Sequence, residues 1–340
     1  MVIEDPPMDT ESTKGSRQRL HPFPDGWYVV EQSSRLPVGK LVEKQWMGHE
    51  IVVWRDRSGA VCVADAVCPH LGAHLGPRGG GMVSDDCLVC PFHGFRYDTT
   101  GRCVATPDGP PPRSAQLTQF EVAECNGFVF GWYHGRGEAP RWRPQEVSVG
   151  KRARSLAVLR LRAHPQTTTE NSVDSAHLGH VHGYQELRQT AATEIEGPIL
   201  SSSYAFTRNM LTPGLRLFKL SVEIAISVWG LGVSTVLIKG RGGLRVRQWV
   251  LATPVDGELI DLWLGMDLEA PPHECWLRGP LAALVRAILP RLFLHELVLE
   301  VRKDAQIWAR QDYRPRPVFS GADRDLLRFR RYCEQFYAGS

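Results

Sequence analysis

The stretches CPHLG from Cys68 and CPFHG from Cys90 each set one thiol beside one imidazole, Cys68 with His70 and Cys90 with His93. Two thiolates and two imidazoles on adjacent loops can hold a [2Fe–2S] cluster, the cysteines on one iron and the histidines on the other. Imidazoles in place of two thiolates leave such a cluster less negative. They raise its potential to roughly −150 to +300 mV, well above all-cysteine plant-type clusters. The chain is therefore expected to handle single electrons. Pro69 and Pro91 stiffen the two loops, while Gly72 and Gly94 allow tight turns close to the metal.

This ligation is a Rieske centre. A structural zinc also takes two cysteines and two histidines, but its usual order is a cysteine pair followed by a histidine pair. Mixed pairs argue for the cluster. His74, four residues past His70, is expected to be a loop residue or an outer hydrogen-bond donor. The run GPRGGG from Gly76 lies between the ligand pairs and opens no strand–helix unit, so it is no dinucleotide fingerprint.

A second dense spot is ENSVDSAHLGHVHG, from Glu170 to Gly183, which gathers His177, His180 and His182 with Asp174. Two histidines and one carboxylate with open positions are the ligand set of non-haem Fe(II) oxygenases. On helical geometry alone His177 and His180 share a face better than His177 and His182. A pair five apart needs an irregular turn, which Gly179 and Gly183 permit. Spacing leaves the second histidine open. For the carboxylate, Leu294, Leu297, Val301, Asp304 and Trp308 trace one face of a helix, with Glu296, Glu300, Arg302, Lys303 and Gln306 expected off it. Asp304 would then be buried, which is costly unless it is paired or bound to a metal. A salt bridge or a hydrogen-bonded core aspartate is the competing role. With a histidine cluster lacking its carboxylate, the metal is the expectation.

The elements that must carry these groups fall into two domains, which 340 residues accommodate easily. Residues 1–20 read as a disordered leader, polar and without an apolar core. Residues 21–150 read as all-β, with strands at Ile51–Trp54, Val61–Ala64, Phe95–Tyr97 and Phe128–Tyr133, and the cluster motifs on loops between them. The stretch from Gly135 to Lys151, with Pro140 and Pro144, reads as a linker. Residues 151–340 form the second domain. A helical segment holds the histidines near 177, and an antiparallel meander follows. Phe218, Leu220, Val222, Ile224, Ile226 and Val228 alternate with more polar neighbours, and further strands are expected at about 233–239, 245–252 and 258–266. A helix is expected from about Leu281 to Arg310, bent at Pro290.

A net charge of +3 is too small to argue for nucleic acid or an anionic membrane surface. No apolar run is long enough for a spanning helix, and no signal peptide or anchor is visible. Eight cysteines without a leader point to reduced thiols and metal ligation before disulfides. Cys62, Cys87, Cys103, Cys125, Cys275 and Cys333 stand outside motif spacing and read as ordinary thiols.

These residues match a family. From about His21 to Tyr337 the chain resembles the oxygenase component of the Rieske non-haem iron oxygenases. The family signature Asp-x-x-His-x(4)-His is met by Asp174, His177 and His182, leaving His180 as an extra histidine. The resemblance makes Asp304 the distal carboxylate ligand of a mononuclear Fe(II). It makes Asp174 the carboxylate that links a cluster histidine of one subunit to an iron-ligand histidine of the next. It implies an α+β protein, an all-β Rieske [2Fe–2S] domain followed by a helix-grip domain, an antiparallel sheet around a long helix. It further implies O2 as co-substrate, NAD(P)H used only through a separate reductase, with or without a ferredoxin, and a head-to-tail homotrimer.

The opening HPFPDGWY and the ending FRRYCEQFY resemble the sterol and steroid branch, which holds cholesterol 7-desaturases and 3-ketosteroid 9α-hydroxylases. The expected activity is hydroxylation or desaturation of a bulky apolar substrate, a steroid or sterol, and Trp229, Trp249 and Trp263 could line its site or simply be core. Animal sterol desaturases carry a membrane anchor; the expectation here is a soluble, cytoplasmic relative. Two alternatives stand beside this reading. One is aromatic-ring dihydroxylation or O-demethylation on the same scaffold. The other is a Rieske electron carrier without mononuclear iron.

Overall fold

The computed structural model describes residues 2–4, 20–147, 154–210, 219–240, 243–269, 279–321 and 323–337, with backbone alone at 2–4, 154 and 279–286. A short strand, β1 (Val2–Glu4), falls within the segment expected to be disordered. Residues 1 and 5–19 of that segment, Phe218, Cys275 and the end of the expected linker lie outside the described residues. Two compact units are present. One comprises Asp25–Glu146 with Val255–Gly257; the other comprises Met1–Pro24, Val147–Pro254 and Glu258–Ser340.

The first unit is all-β. Its strands are β2 (Gly26–Gln32), β3 (Leu41–Trp46), β4 (His49–Arg55), β5 (Val61–Asp65), β6 (Met82–Ser84), β7 (Cys87–Val89), β8 (Arg96–Tyr97), β9 (Cys103–Ala105), β10 (Gln119–Phe120), β11 (Val122–Cys125) and β12 (Phe128–Tyr133). They form small antiparallel sheets in the orders β10-β5-β4-β3, β11-β12-β2 and β6-β7-β8-β9. Asn126 and Gly127, both at positive φ (52° and 75°), make the two-residue reversal between β11 and β12. Val52, Trp54, Ala64, Leu75, Leu88 and Tyr97 pack in one apolar cluster that also contains Cys68 and Cys90. The core of this unit is thus the floor of the two motif loops.

The second unit holds β13 (Arg154–Arg162), α1 (Pro165–Glu170), α2 (Ser175–His180), β14 (Gln185–Glu196), β15 (Ile199–Asn209), β16 (Lys219–Trp229), β17 (Val233–Lys239), β18 (Arg245–Pro254), β19 (Leu259–Glu269), α3 (Gly279–Trp308) and α4 (Arg324–Cys333). Among the described residues the strands make one sheet in the order β1-β13-β19-β18-β17-β16-β15-β14. Every pairing is antiparallel except that of β1 with β13. The helix α3 lays Leu297, Val301 and Trp308 against Leu159, Leu161, Val246, Ile260, Leu262 and Leu264 of the sheet. A sheet gripping a long helix is the expected architecture, and no helix among the described residues is long and apolar enough to cross a membrane.

The strands β16 to β19 fall where alternation puts them. The strands β13, β14 and β15 are additional. In β15 the buried alternate positions are Leu200, Ser202, Tyr204 and Phe206, so a serine breaks the apolar period. The strand β14 is exposed along most of its length and carries few apolar residues to count. One expectation about α3 needs correction. Glu296 and Glu300, predicted off the buried stripe, are only 3% and 5% exposed. The apolar stripe marks the side of the helix against the sheet; these carboxylates face a cavity wall, which hydrophobic periodicity does not register.

Candidate metal centres

The two motif loops of the first unit have the same backbone design. The Cys68 carbonyl accepts from Gly72 N (3.0 Å), and the Cys90 carbonyl accepts from Gly94 N (3.0 Å). Each turn closes through a glycine at positive φ, 75° at Gly72 and 65° at Gly94, where a Cβ would strain the chain. Backbone bonds from Cys68 N to Ala73 O (2.9 Å) and from Cys90 N to Phe95 O (2.8 Å) complete the pair. Cys68 and Cys90 are buried, whereas His70 is exposed and His93 half-buried. The imidazoles of His70 and His93 stand edge to face, 4.9 Å between centroids, and His70 stacks on Phe95 at 4.4 Å. The Tyr97 hydroxyl lies 3.1 Å from Cys68 Sγ. Burial pushes the Cys68 thiol pKa up, and the neighbouring Cys90 adds to the rise, although Tyr97 works against it. Such an environment suits two thiolates whose charge is neutralised by iron.

His74 belongs to the loop itself. Its Nδ1 accepts from Gly76 N at 3.0 Å, inside the GPRGGG run.

In the second unit, His177, His182 and Asp304 come together, with one donor atom from each lying within 4.8 Å of the others. Nε2 of His177 is 2.8 Å from Asp304 Oδ1, and Nε2 of His182 is 3.3 Å from the same oxygen. The local fold explains why His182 and not His180 joins the group. Asp174 caps α2, its Oδ1 accepting from His177 N at 3.0 Å. The helix ends at His180, which is exposed. Bonds from Gly183 N to Gly179 O (3.1 Å) and from Tyr184 N to Leu178 O (3.2 Å) then fold the chain back, with Gly183 at φ 69°. That irregular turn brings His182 round beside His177, ring centroids 4.5 Å apart. Asn171 Nδ2 reaches to 3.4 Å from His177 Nε2.

Acidic groups surround this trio. Burial alone would lower the His182 pKa, but hydrogen bonds and charge from Asp304 and Glu300 raise it to about 9. Burial alone would raise the pKa of Asp304, but its bonds to His177 and His182 outweigh that and leave it lowered. Glu300 Oε2 contacts His182 Nδ1, and Arg208 Nη2 lies 2.9 Å from Glu300 and 3.2 Å from Glu296. Three buried carboxylates, Glu296, Glu300 and Asp304, face the half-buried Arg208 guanidinium and Lys303, whose Nζ lies 3.4 Å from Glu300, so with neutral imidazoles negative charge exceeds positive where the two rings converge. The donor set and the charge both fit a divalent cation of the 2-His-1-carboxylate kind. Arg208, Glu296 and Glu300 join the site beyond the expected residues; the four-residue steps 296, 300 and 304 signal the two glutamates, and nothing in the sequence pattern signals Arg208.

Beside this trio opens a cavity of about 350 Å³. Its sheet wall is built of alternate residues from adjacent strands. Phe206 pairs with Val222, Ile224 with Ile238, Ile226 with Val236, and Gln248 with both Val236 and Met266. His177, His182, Glu296, Glu300 and Asp304 line the same space. Trp229, Trp249 and Trp263 are buried elsewhere in the unit and do not line it.

Known proteins share this organisation. Residues 26–121 match the Rieske [2Fe-2S] domain, and residues 131–337 match the 3-ketosteroid 9alpha-hydroxylase C-terminal domain. The chain is 30% identical to cholesterol 7-desaturase nvd 1 of Ciona intestinalis, over 93% of this chain and 69% of that protein. It is 27% identical to cholesterol 7-desaturase nvd of Drosophila melanogaster, over 94% and 76%. The fold resembles that of dicamba monooxygenase bound to dicamba, with a TM-score of 0.65, 18% identity, and 92% and 96% of the two chains covered. It likewise resembles Pseudomonas putida CBB5 NdmA with caffeine, at 0.66, 16%, 91% and 89%. The chain is an oxidoreductase that belongs to the Rieske oxygenases with a 3-ketosteroid 9alpha-hydroxylase C-terminal domain.

Proposed function

We propose that this chain is the oxygenase component of a Rieske non-haem iron system that hydroxylates or desaturates a sterol or steroid. In this reading Cys68, His70, Cys90 and His93 hold the [2Fe–2S] cluster of the domain at 21–150. His177, His182 and Asp304 hold one ferrous ion in the domain at 151–340. When bound, the two centres supply single-electron delivery and O2 activation. A separate NAD(P)H-dependent reductase, with or without a ferredoxin, feeds the electrons, which implies a cytoplasmic setting.

The observation that carries the substrate class is the cavity. Its sheet wall is mainly apolar, with Gln248 and Ser234 among its polar members, and the His177, His182 and Asp304 group lines the same space. An apolar polycyclic molecule placed there loses water from its hydrocarbon surface and presents one C–H bond to the trio. The similarity to cholesterol 7-desaturases supports the same class. Asp174 is assigned the link to a cluster histidine of a neighbouring protomer, which requires head-to-tail contacts closing into a ring, most simply a trimer.

The test is turnover of a sterol and 3-ketosteroid panel by iron-reconstituted protein with a surrogate reductase, read by mass spectrometry. Gain of one oxygen or loss of two hydrogens, dependent on O2, is the expected result. A diol or formaldehyde from aromatic or methoxylated compounds, with every sterol untouched, would replace this reading by the dihydroxylase or demethylase one.

A further inference from the structure

The two imidazoles of the second unit are held by different means. His177 is placed through its backbone, at the capped start of α2. His182 sits past the end of that helix, on a loop, where no helical geometry fixes its ring. Its Nδ1 contacts Glu300 Oε2, while its Nε2 faces Asp304. Glu300 and Asp304 stand one turn apart on α3, so a single rigid helix addresses both edges of one ring.

Glu300 itself is shared. Its Oε1 lies 2.9 Å from Arg208 Nη2, and its Oε2 contacts His182 Nδ1, with Lys303 Nζ at 3.4 Å. A carboxylate present only to neutralise Arg208 would offer it both oxygens side by side. Here the arginine divides itself between Glu300 and Glu296, and it donates to the Tyr184 hydroxyl at 3.1 Å while lying over that ring. Arg208 thus steadies Glu300 without saturating it. Histidines that bind metals as a rule donate their second N–H to a carboxylate, a backbone carbonyl or a water, which fixes tautomer and ring orientation.

From this geometry we infer that Glu300 is a positioning residue for the metal site, presenting Nε2 of His182 to the iron, with Arg208 holding Glu300 in place. The inference rests on the assignment of ferrous iron to His177, His182 and Asp304. Glu300 accepts from the Nδ1–H of the neutral ring, and Nε2 keeps its lone pair. It touches no reacting atom.

The experiment measures ferrous affinity by chelator competition and the EPR spectrum of the ferrous–nitrosyl adduct in native protein, Glu300→Ala and Glu300→Gln. Loss of the outer carboxylate should weaken iron binding roughly 10–100-fold and alter the nitrosyl line shape, with the cluster absorption unchanged. The Gln variant keeps volume and one acceptor, so it should lose less. Native affinity and an unaltered nitrosyl spectrum in Glu300→Ala overturn the inference. Should that variant not fold, the same result in Glu300→Gln overturns it. Native protein that takes up no iron beyond the cluster defeats the functional reading itself, an outcome visible before any variant is made.

Discussion

Nε2 of His177 and Oδ1 of Asp304 stand 2.8 Å apart across 127 positions of sequence, and this contact ties the capped end of α2 to the long helix. Both groups are largely buried, so each would be costly without the other. Asp304→Ala should therefore reduce iron to that of the cluster alone, with the visible spectrum of the cluster intact. Iron quantitation beside that spectrum checks it. Full iron content in the variant would remove Asp304 from the ligand set.

His180 and His182 make a sharper pair. His180 closes α2 and faces solvent, while His182 has a side chain only 4% exposed between Glu300 and Asp304. His180→Ala should keep mononuclear iron and turnover near native levels, since exposed substitutions away from special contacts usually shift stability by no more than about 0.5 kcal/mol. His182→Ala should lose the iron. The reverse ranking would mean that the turn at Gly183 rearranges around the metal.

Much of this was legible in the residues. The Cys-x-His and Cys-x-x-His pairs announce their cluster because liganding chemistry is local, compressed into two loops of the same design. Asp304 stands out because a lone carboxylate on an apolar helical face is conspicuous. Glu296 and Glu300 escaped for the converse reason. Carboxylates outside the apolar stripe look solvated, and only a cavity on that side of α3, closed by Arg208 from β15, makes them buried. The choice between His180 and His182 turns on a helix terminus, where Tyr184 N reaches back six residues to Leu178 O in place of the α-helical four. Ser202 on the buried face of β15 hid a strand in the same way, by putting a polar residue where the period expects an apolar one.

Asp174 carries two roles that one substitution would confuse. As N-cap it accepts from His177 N, and Asp174→Ala should cost about 1 kcal/mol and loosen the turn that holds His177. Asparagine caps about as well as aspartate but carries no charge. Asp174→Asn should therefore melt like native protein and keep both metals, while turnover falls roughly 10–100-fold if the proposed link between protomers needs the carboxylate. Native turnover in Asp174→Asn would reduce the residue to a helix cap.

Acid sensitivity of the second unit should trace in part to His164. Its Nδ1 accepts from Gln166 N at 3.1 Å as the cap of α1, and its Nε2 donates to the His21 carbonyl at 3.0 Å. One donor and one acceptor is the pattern of a neutral imidazole, and a second proton would destroy the cap. Burial lowers its pKa to about 4, against the opposing effect of the His21 carbonyl. The unfolded value is near 6.5. Above that pH neither state binds the proton, and the contribution to stability is complete. Between about 6.5 and about 4 only the unfolded chain takes it up, so folding weakens by up to about 1.4 kcal/mol per pH unit. Asparagine at this position caps without titrating. Urea midpoints at pH 7.5 and pH 5 should separate further in native protein than in His164→Asn; equal separations would show that this imidazole does not govern the acid limb.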